Sequence, residues 1–414
     1  MSSPRSTEGH PDVGGPGSRP ARPGLATRAV HPPRAASQAG EPLSVPVDFS
    51  STYSFSDVDE FARASEIKVG AGYVYTRWGN PTIDSFEAAV AELEGAPHAE
   101  AFASGMAAIT TTILALCGSG DRIVAARQLY GGTHEFFSNV LPRYGIKAEL
   151  FDVKDLDDIE RALDGARLLY CETIGNPRVK VADLESLGGM ARAAGVALVV
   201  DSTFASPVLC RPMELGASAV VHSATKFLGG HHDLLGGVVC ASEEVIEPVR
   251  ALAREFGAII APFTAWLALR GMQTLPLRVE RACASARAVA EALEDHPAIG
   301  AVFYPALESS EDKDLCDSLL GGRGGGVLAF DVSGGRDRAR SFQEKLRVIK
   351  PAASLGGSHS LIVHAASVTH TQLSPQELAA AGISEGFCRL SVGLEDPADV
   401  IADLYEALDA SGSA

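Results

Sequence analysis

The feature that most narrows the possible folds is an alternation. Between residues 99 and 241, seven short runs rich in β-branched and small apolar residues, at 99–103, 122–126, 148–153, 167–172, 196–201, 217–222 and 237–241, are separated by stretches of helical character. Strands that alternate with helices at this spacing build a mostly parallel sheet, because parallel neighbours need long crossovers and helices supply them. The expectation is an α/β domain around one large, mostly parallel, seven-stranded sheet. From about Ala265 the pattern changes to a long Leu/Ala/Arg-rich helical stretch reaching about Leu293, broken near Pro276. Runs at 301–304, 326–332, 347–351 and 387–392 then predict a smaller α+β domain. The chain reads as an N-terminal tail over 1–46, an arm over 47–74, a large domain over 75–265 and a small C-terminal domain over 266–414.

The tail is expected to be disordered: it holds nine of the 23 prolines and five arginines but no Ile, Phe, Tyr or Trp, too little apolar surface to offset ordering entropy. Pro11, Pro16, Pro20 and Pro23 would break the amphipathic helix of a transit peptide, and the layout of a signal peptide is missing. With 35 basic against 52 acidic residues the formal charge is −17, which disfavours nucleic acid and anionic membranes as partners. A charged substrate therefore needs a local basic site. No apolar run approaches the ~18 residues of a membrane span. The seven cysteines are odd in number, scattered and without CxxC spacing, as expected of reduced core thiols in a cytoplasmic protein. His231 and His232 read as a hydrogen-bonded structural pair, and no metal site is expected.

Chemistry concentrates where two of the predicted strands end. Asp201 closes one run, and Lys226 follows the next after Ser223 and Thr225. The C-terminal ends of parallel strands line the ligand crevice of such a sheet, so Asp201 and Lys226 can face one site. Lysine is rare here, eight residues against 27 arginines, and one kept among Gly, Ser, Thr and His suggests amine chemistry that a guanidinium cannot perform. Such an amine can form a Schiff base, while a carboxylate keeps the pyridine nitrogen of pyridoxal phosphate protonated so that the ring acts as an electron sink. The cofactor's phosphate would need donors at a helix N-terminus. Ser104-Gly105-Met106 stands where the 99–103 run enters a helix reaching Leu116, with hydroxyls available from Ser223 and Thr225 and a guanidinium from Arg77.

With these blocks in place, the chain resembles the Cys/Met-metabolism, or trans-sulfuration, family of pyridoxal phosphate enzymes, which includes cystathionine γ-synthase, cystathionine γ-lyase, methionine γ-lyase and the homoserine-ester sulfhydrylases. The resemblance runs from about Gly24 to Leu408. It rests on Tyr75-Thr76-Arg77 with Asn80-Pro81-Thr82, Ser104-Gly105-Met106, Tyr130-Gly131-Gly132-Thr133, Glu172-Thr173 with Asn176-Pro177, the Asp201 and Lys226 blocks, Ser354-Leu355-Gly356-Gly357, and Arg389 to Glu395. It implies the PLP-dependent transferase fold (fold type I), pyridoxal 5′-phosphate as cofactor, and a homotetramer of dimers that share active sites. Carried over by motif, Lys226 forms the Schiff base, Asp201 pairs with the pyridine nitrogen, Tyr130 stacks on the ring and serves as an acid, and Asn176 lies near the ring hydroxyl. Ser104, Gly105, Met106, Thr203, Ser223 and Thr225 would hold the cofactor, joined by Tyr75 and Arg77 of the neighbouring subunit. Arg389, with Ser354, Thr369 and Tyr75, would bind the substrate and its α-carboxylate.

The reaction implied is γ-elimination or γ-replacement on an L-amino acid. Four features depart from common family patterns, the doubled histidine His231-His232 among them. Ala353 stands where cystathionine-handling members carry Glu, Gly132 where methionine γ-lyases carry Cys, and His359 where an acidic residue is frequent. Without the carboxylate at 353 the expected γ-substituent is uncharged, and with Gly132 a dedicated methionine-degrading role is not expected. The alternatives are a γ-lyase acting on an unusual non-thiol substrate, such as a γ-halogenated amino acid, cystathionine or methionine γ-lyase proper, or a non-catalytic scaffold on the same fold.

Overall fold

The computed structural model describes residues 23–33, 42–66, 72–368, 378 and 382–412. Among the described residues nine strands precede residue 242: β1 (His98–Phe102), β2 (Arg122–Ala126), β3 (Lys147–Phe151), β4 (Leu168–Glu172), β5 (Ile174–Gly175), β6 (Lys180–Val181), β7 (Ala197–Asp201), β8 (Ala219–His222) and β9 (Gly237–Ala241). Seven of them form one sheet in the order β1-β9-β8-β7-β4-β2-β3. β8, β7, β4, β2 and β3 are mutually parallel, while β9 runs antiparallel to both β8 and β1. The chain therefore has the expected fold class, and β1, β2, β4, β7 and β8 all end at the same edge. Strand residues such as Val124, Val199, Val200 and Val220 are fully buried, as both faces of a helix-covered parallel sheet require.

Five further strands, β10 (Ile299–Phe303), β11 (Val327–Val332), β12 (Lys350–Pro351), β13 (Leu361–His364) and β14 (Phe387–Ser391), form a second sheet in the order β10-β11-β14-β13-β12, antiparallel except for β12 with β13. The long helical stretch between the sheets is two helices, Pro262–Met272 and Leu275–Glu294. Pro276 lies in the first turn of the second, where its missing N–H costs nothing, so the break falls just before it.

One expectation needs correction. Within the stretch read as a disordered tail, Leu25–Val30 is a helix, and Arg28 and Ala29 are buried. Arg28 donates to the carbonyl oxygen of Glu92 at 2.5 Å and pairs with its carboxylate at 3.4 Å, at the end of the Pro81–Glu94 helix. Composition averaged over 46 residues hid six that have a docking partner far along the chain.

Candidate active site

The shared edge of the parallel strands opens into a cavity of about 440 Å³. At one end the Gly105–Leu116 helix begins, its first turn capped by Ser104, whose Oγ accepts from the Ala107 N–H. A Cβ at Gly105 would stand 2.7 Å from Ser223 Cβ, so only glycine lets the helix N-terminus and the Ser223 hydroxyl close on the same point. Ser223 N–H is fixed by Thr203 Oγ1 at 2.9 Å, and Thr225 Oγ1 accepts from Gly236 N–H at 3.0 Å. Helix donors and hydroxyls together make a cradle for an anion.

Asp201 ends β7 at the cavity, and its Oδ1 accepts from Thr203 N–H at 2.9 Å. Burial pushes its carboxyl above the usual aspartate range, against the pull of Thr203 and His222. No Lys or Arg side chain pairs with it among the described residues, which leaves a buried carboxylate facing the cavity in want of a cation. Lys226 Nζ donates to Ser354 Oγ at 2.6 Å, and burial, then the charge of Arg389, lower its ammonium to about 8. The turn behind it is held by Arg278, which sequence reasoning passed over. This buried guanidinium donates to the carbonyls of Phe227 and Gly271, both at 2.8 Å.

Arg389 comes from β14 of the second sheet and is only 6% exposed. Its Nη1 donates to Asn176 Oδ1 at 2.9 Å and its Nη2 to the Ser354 carbonyl at 3.1 Å, while its buried Nε has no partner. Desolvation lowers it to about 10, so an incoming carboxylate would recover both charge and hydrogen bonding. Glu172, seen in the sequence only as part of a motif, ties the opposite wall together. One oxygen accepts from Tyr130 N–H at 2.5 Å and the other from Asn176 N–H at 3.0 Å. The Tyr130 ring lines the cavity and is half exposed.

Of the residues singled out in the sequence, Ser104, Gly105, Met106, Tyr130, Asn176, Asp201, Thr203, Ser223, Thr225, Lys226, Ser354 and Arg389 all line this cavity. Tyr75 and Arg77 do not. Arg77 instead donates to the Arg254 carbonyl at 2.6 Å and stacks near Tyr75 and Trp78, and Tyr75 is 42% exposed. Thr369 lies outside the described residues.

Comparison with known proteins decides what such a cavity belongs to. The sequence profile described as Cys/Met metabolism PLP-dependent enzyme matches residues 26–409. The chain belongs to this family. It is 41% identical over 392 residues to L-methionine gamma-lyase of Pseudomonas putida, covering 94% of this chain and 98% of the relative. It is 42% identical over 342 residues to O-succinylhomoserine sulfhydrylase of Mycobacterium tuberculosis, covering 81% and 84%. A Campylobacter jejuni chain described as an O-acetylhomoserine (thiol)-lyase, solved with N′-pyridoxyl-lysine-5′-monophosphate, superposes with a TM-score of 0.88 at 32% identity, covering 93% of this chain and 99% of its own. The protein is thus a PLP-dependent enzyme of the γ-lyase and γ-synthase type, with pyridoxal 5′-phosphate as cofactor. No described helix is long and apolar enough to cross a membrane.

The residues present suit that cofactor. The buried carboxylate of Asp201, which no described Lys or Arg side chain pairs, matches a pyridinium N–H, the cradle at Gly105 and Ser223 matches a phosphate, and Lys226 supplies the one amine among the described residues that line the cavity.

Proposed function

We propose that the protein catalyses γ-elimination or γ-replacement on an L-amino acid whose γ-substituent carries no ammonium group. The observation that carries this reading is the wall beside the reactive amine. Ala353 lines the cavity next to Ser354, the residue that holds Lys226 Nζ, so a methyl group stands where an ammonium would need a carboxylate. Burying the distal ammonium of cystathionine there would cost on the order of a few kcal/mol. Gly132 bears on methionine and speaks against a dedicated methionine-degrading role. A Cβ at 132 would lie 2.6 Å from Tyr130 Cε1 and 3.1 Å from Met106 Sδ, so the Tyr130 ring fills the space that a cysteine would take. The relatives compared above are named for methionine and homoserine esters, and lend no support to a γ-halogenated substrate.

In this reading Lys226 and Asp201 would hold the cofactor, which when bound would supply an electron sink for negative charge at the substrate Cα. Arg389 takes the α-carboxylate through the N–H that lacks a partner, and Asn176 keeps the guanidinium plane facing the cavity. Lys226, with its proton affinity lowered by burial and Arg389, is suited to accept the Cα proton as a neutral amine near neutral pH. Ser354 Oγ keeps Nζ on the substrate side. Tyr130, whose backbone is fixed by Glu172, is the candidate to protonate the departing γ-group. The seven free, buried cysteines suit a cytoplasmic setting.

The test is substrate preference. The unmutated enzyme is expected to turn over O-acetylhomoserine or a γ-thioether with higher kcat/KM than cystathionine, and Ala353→Glu should raise kcat/KM for cystathionine by roughly 10- to 100-fold, the worth of one charge-assisted hydrogen bond. Cystathionine as the preferred substrate of the unmutated enzyme would overturn the reading.

Tyr75 and Arg77 are proposed to complete the site of a neighbouring subunit in a homotetramer of site-sharing dimers, an idea supported by the exposure of Tyr75 and by the absence of both residues from the lining of their own cavity. Inactive Arg77→Ala subunits mixed with inactive Lys226→Ala subunits should regain activity, because one site of each hybrid dimer then has every group intact. Absence of complementation, with mixed dimers verified by mass, would mean that each chain builds its own site.

A further inference from the structure

Glu172 closes β4 as Asp201 closes β7, and the two residues are register partners on these neighbouring parallel strands. Register partners project from the same face of a sheet, one strand spacing or about 5 Å apart, so two carboxyl side chains stand next to each other at the edge that opens into the cavity. Both line it, and they are only 6% and 9% exposed. Neighbouring buried carboxylates call for a cation between them or for a proton on one of them. No Lys or Arg side chain pairs with either among the described residues. Lys226 and Arg389, which line the same cavity, are engaged elsewhere, the first with Ser354 Oγ and the second with Asn176 Oδ1 and the Ser354 carbonyl.

The backbone around Glu172 is arranged for an anion. One of its oxygens accepts from Tyr130 N–H and the other from Asn176 N–H, and an amide in its place would turn an NH2 donor toward one of those donors. Burial and then the charge of Asp201 nevertheless push its carboxyl well above the usual glutamate range, and burial raises Asp201 as well. The other groups that act on the pair do not cancel this. Arg389 and His222 favour the charged forms, while the Tyr170 phenol and the Cys171 thiol, raised by burial and by the pair itself, stay neutral. Tyr130 and Lys226 complete the titratable groups that share the cavity with the pair.

Resting on the assignment of Asp201 to the cofactor's ring nitrogen, we propose that Glu172 is a positioning residue that acts through Asp201: the two carboxyls form one site that carries its full double charge only against a cation. In the cofactor-free chain the pair keeps one proton and a single negative charge. Against a protonated ring nitrogen both carboxyls are ionised, and the second negative charge strengthens the hold of the site on that N–H. The balance closes, because the carboxyl O–H gives up one proton, the ring nitrogen bears one, and the summed charge is unchanged. Glu172 thereby does more than brace Tyr130 and Asn176. It sets how firmly the ring is kept in its electron-withdrawing form.

The experiment loads the full chain with pyridoxal 5′-phosphate carrying nitrogen-15 in the ring, whose chemical shift reads whether that nitrogen bears a proton. Glu172→Gln and Glu172→Met should each lose the proton about one pH unit earlier than the unmutated holoenzyme, a tenfold weaker hold and the equivalent of one charge-assisted contact. Loss of the braces to Tyr130 and Asn176 alone would raise KM and leave the ring proton in place. Asp201→Asn tests the assignment beneath, and should remove the proton at neutral pH. A ring proton that survives Asp201→Asn counts against that assignment, whereas one lost in Asp201→Asn but unmoved in both Glu172 variants overturns the role of Glu172. If neither Glu172 variant folds or takes up cofactor, the unmutated chain decides. Its infrared difference spectrum at pH 7, holoenzyme minus cofactor-free chain, should show the loss of a protonated-carboxyl band that moves when the glutamates carry carbon-13. A difference spectrum without that band would overturn the proposal.

Discussion

Lys226→Ala is expected to abolish the covalent link to the cofactor and to lower turnover by ~10⁴-fold, the upper range for a general base alone, while the fold stays intact. The amine is held by a single hydrogen bond to Ser354 Oγ and no other described side chain of the cavity offers one, so nothing else can replace it. Reduction with borohydride followed by peptide mass mapping should label the unmutated protein at Lys226 and leave the variant unlabelled. A stability readout accompanies this. Because the folded-state pKa is lowered to about 8 from an ordinary 10.5, the buried ammonium destabilises the cofactor-free fold at neutral pH, where the amine is charged in both folded and unfolded chains. Removing it with Lys226→Met should therefore stabilise the cofactor-free protein at pH 7. The advantage should shrink as pH rises from about 8 toward 10.5, where the unfolded amine also becomes neutral. A Lys226→Ala variant with normal turnover, or a Lys226→Met variant whose stability difference is flat across that window, would show that the amine does not occupy this buried position.

Asp201→Asn should bind cofactor and lose roughly 10²- to 10⁴-fold in kcat, from the 3–5 kcal/mol expected when one partner of a buried ion pair is removed. The carboxylate sits at the buried end of β7, fixed by Thr203 N–H, with no competing cation among the described residues. Asparagine preserves the shape and one acceptor but cannot stabilise a protonated ring nitrogen. The loss should appear in kcat more than in KM, because Arg389 and Asn176, which would receive the substrate carboxylate, are untouched. Turnover within a few-fold of normal would exclude Asp201 as the ring partner. A failure to bind cofactor at all would shift its role from electronics to simple retention.

The local signals in the chain were strong where chemistry and secondary structure coincide. Alternation of apolar runs placed β2 and β9 at their observed limits and the other strands of the large sheet within two residues, because a strand buried on both faces must be apolar along its whole length. Asp201, Lys226 and the Ser104–Met106 turn were legible for a related reason: a ligand site at the C-terminal ends of parallel strands is written in the few residues that follow each strand. The weaker elements escaped. β5 and β6 are two residues each, and β13 follows a Gly/Ser-rich stretch that carries turn signals up to its first residue.

What the sequence could not determine is which distant groups meet. Arg389 joins Asn176 across 213 positions, Lys226 joins Ser354 across 128, and Arg28 joins Glu92 across 64. No local pattern encodes such contacts, since they depend on how two sheets and the helices between them pack. Glu172 and Arg278 were invisible as site-building residues because their work is done through backbone N–H and carbonyl groups, which carry no residue-specific signature. Likewise His232 read as half of a structural histidine pair and His359 as a departure from a family pattern until the fold brought their ring centroids to 6.0 Å. Sequence alone determined the fold class and pointed to the amine and the carboxylate, because strand periodicity and reactive side chains are local properties. The shape of the space around them was decided by tertiary packing, since close approach between distant segments is set by the whole core at once.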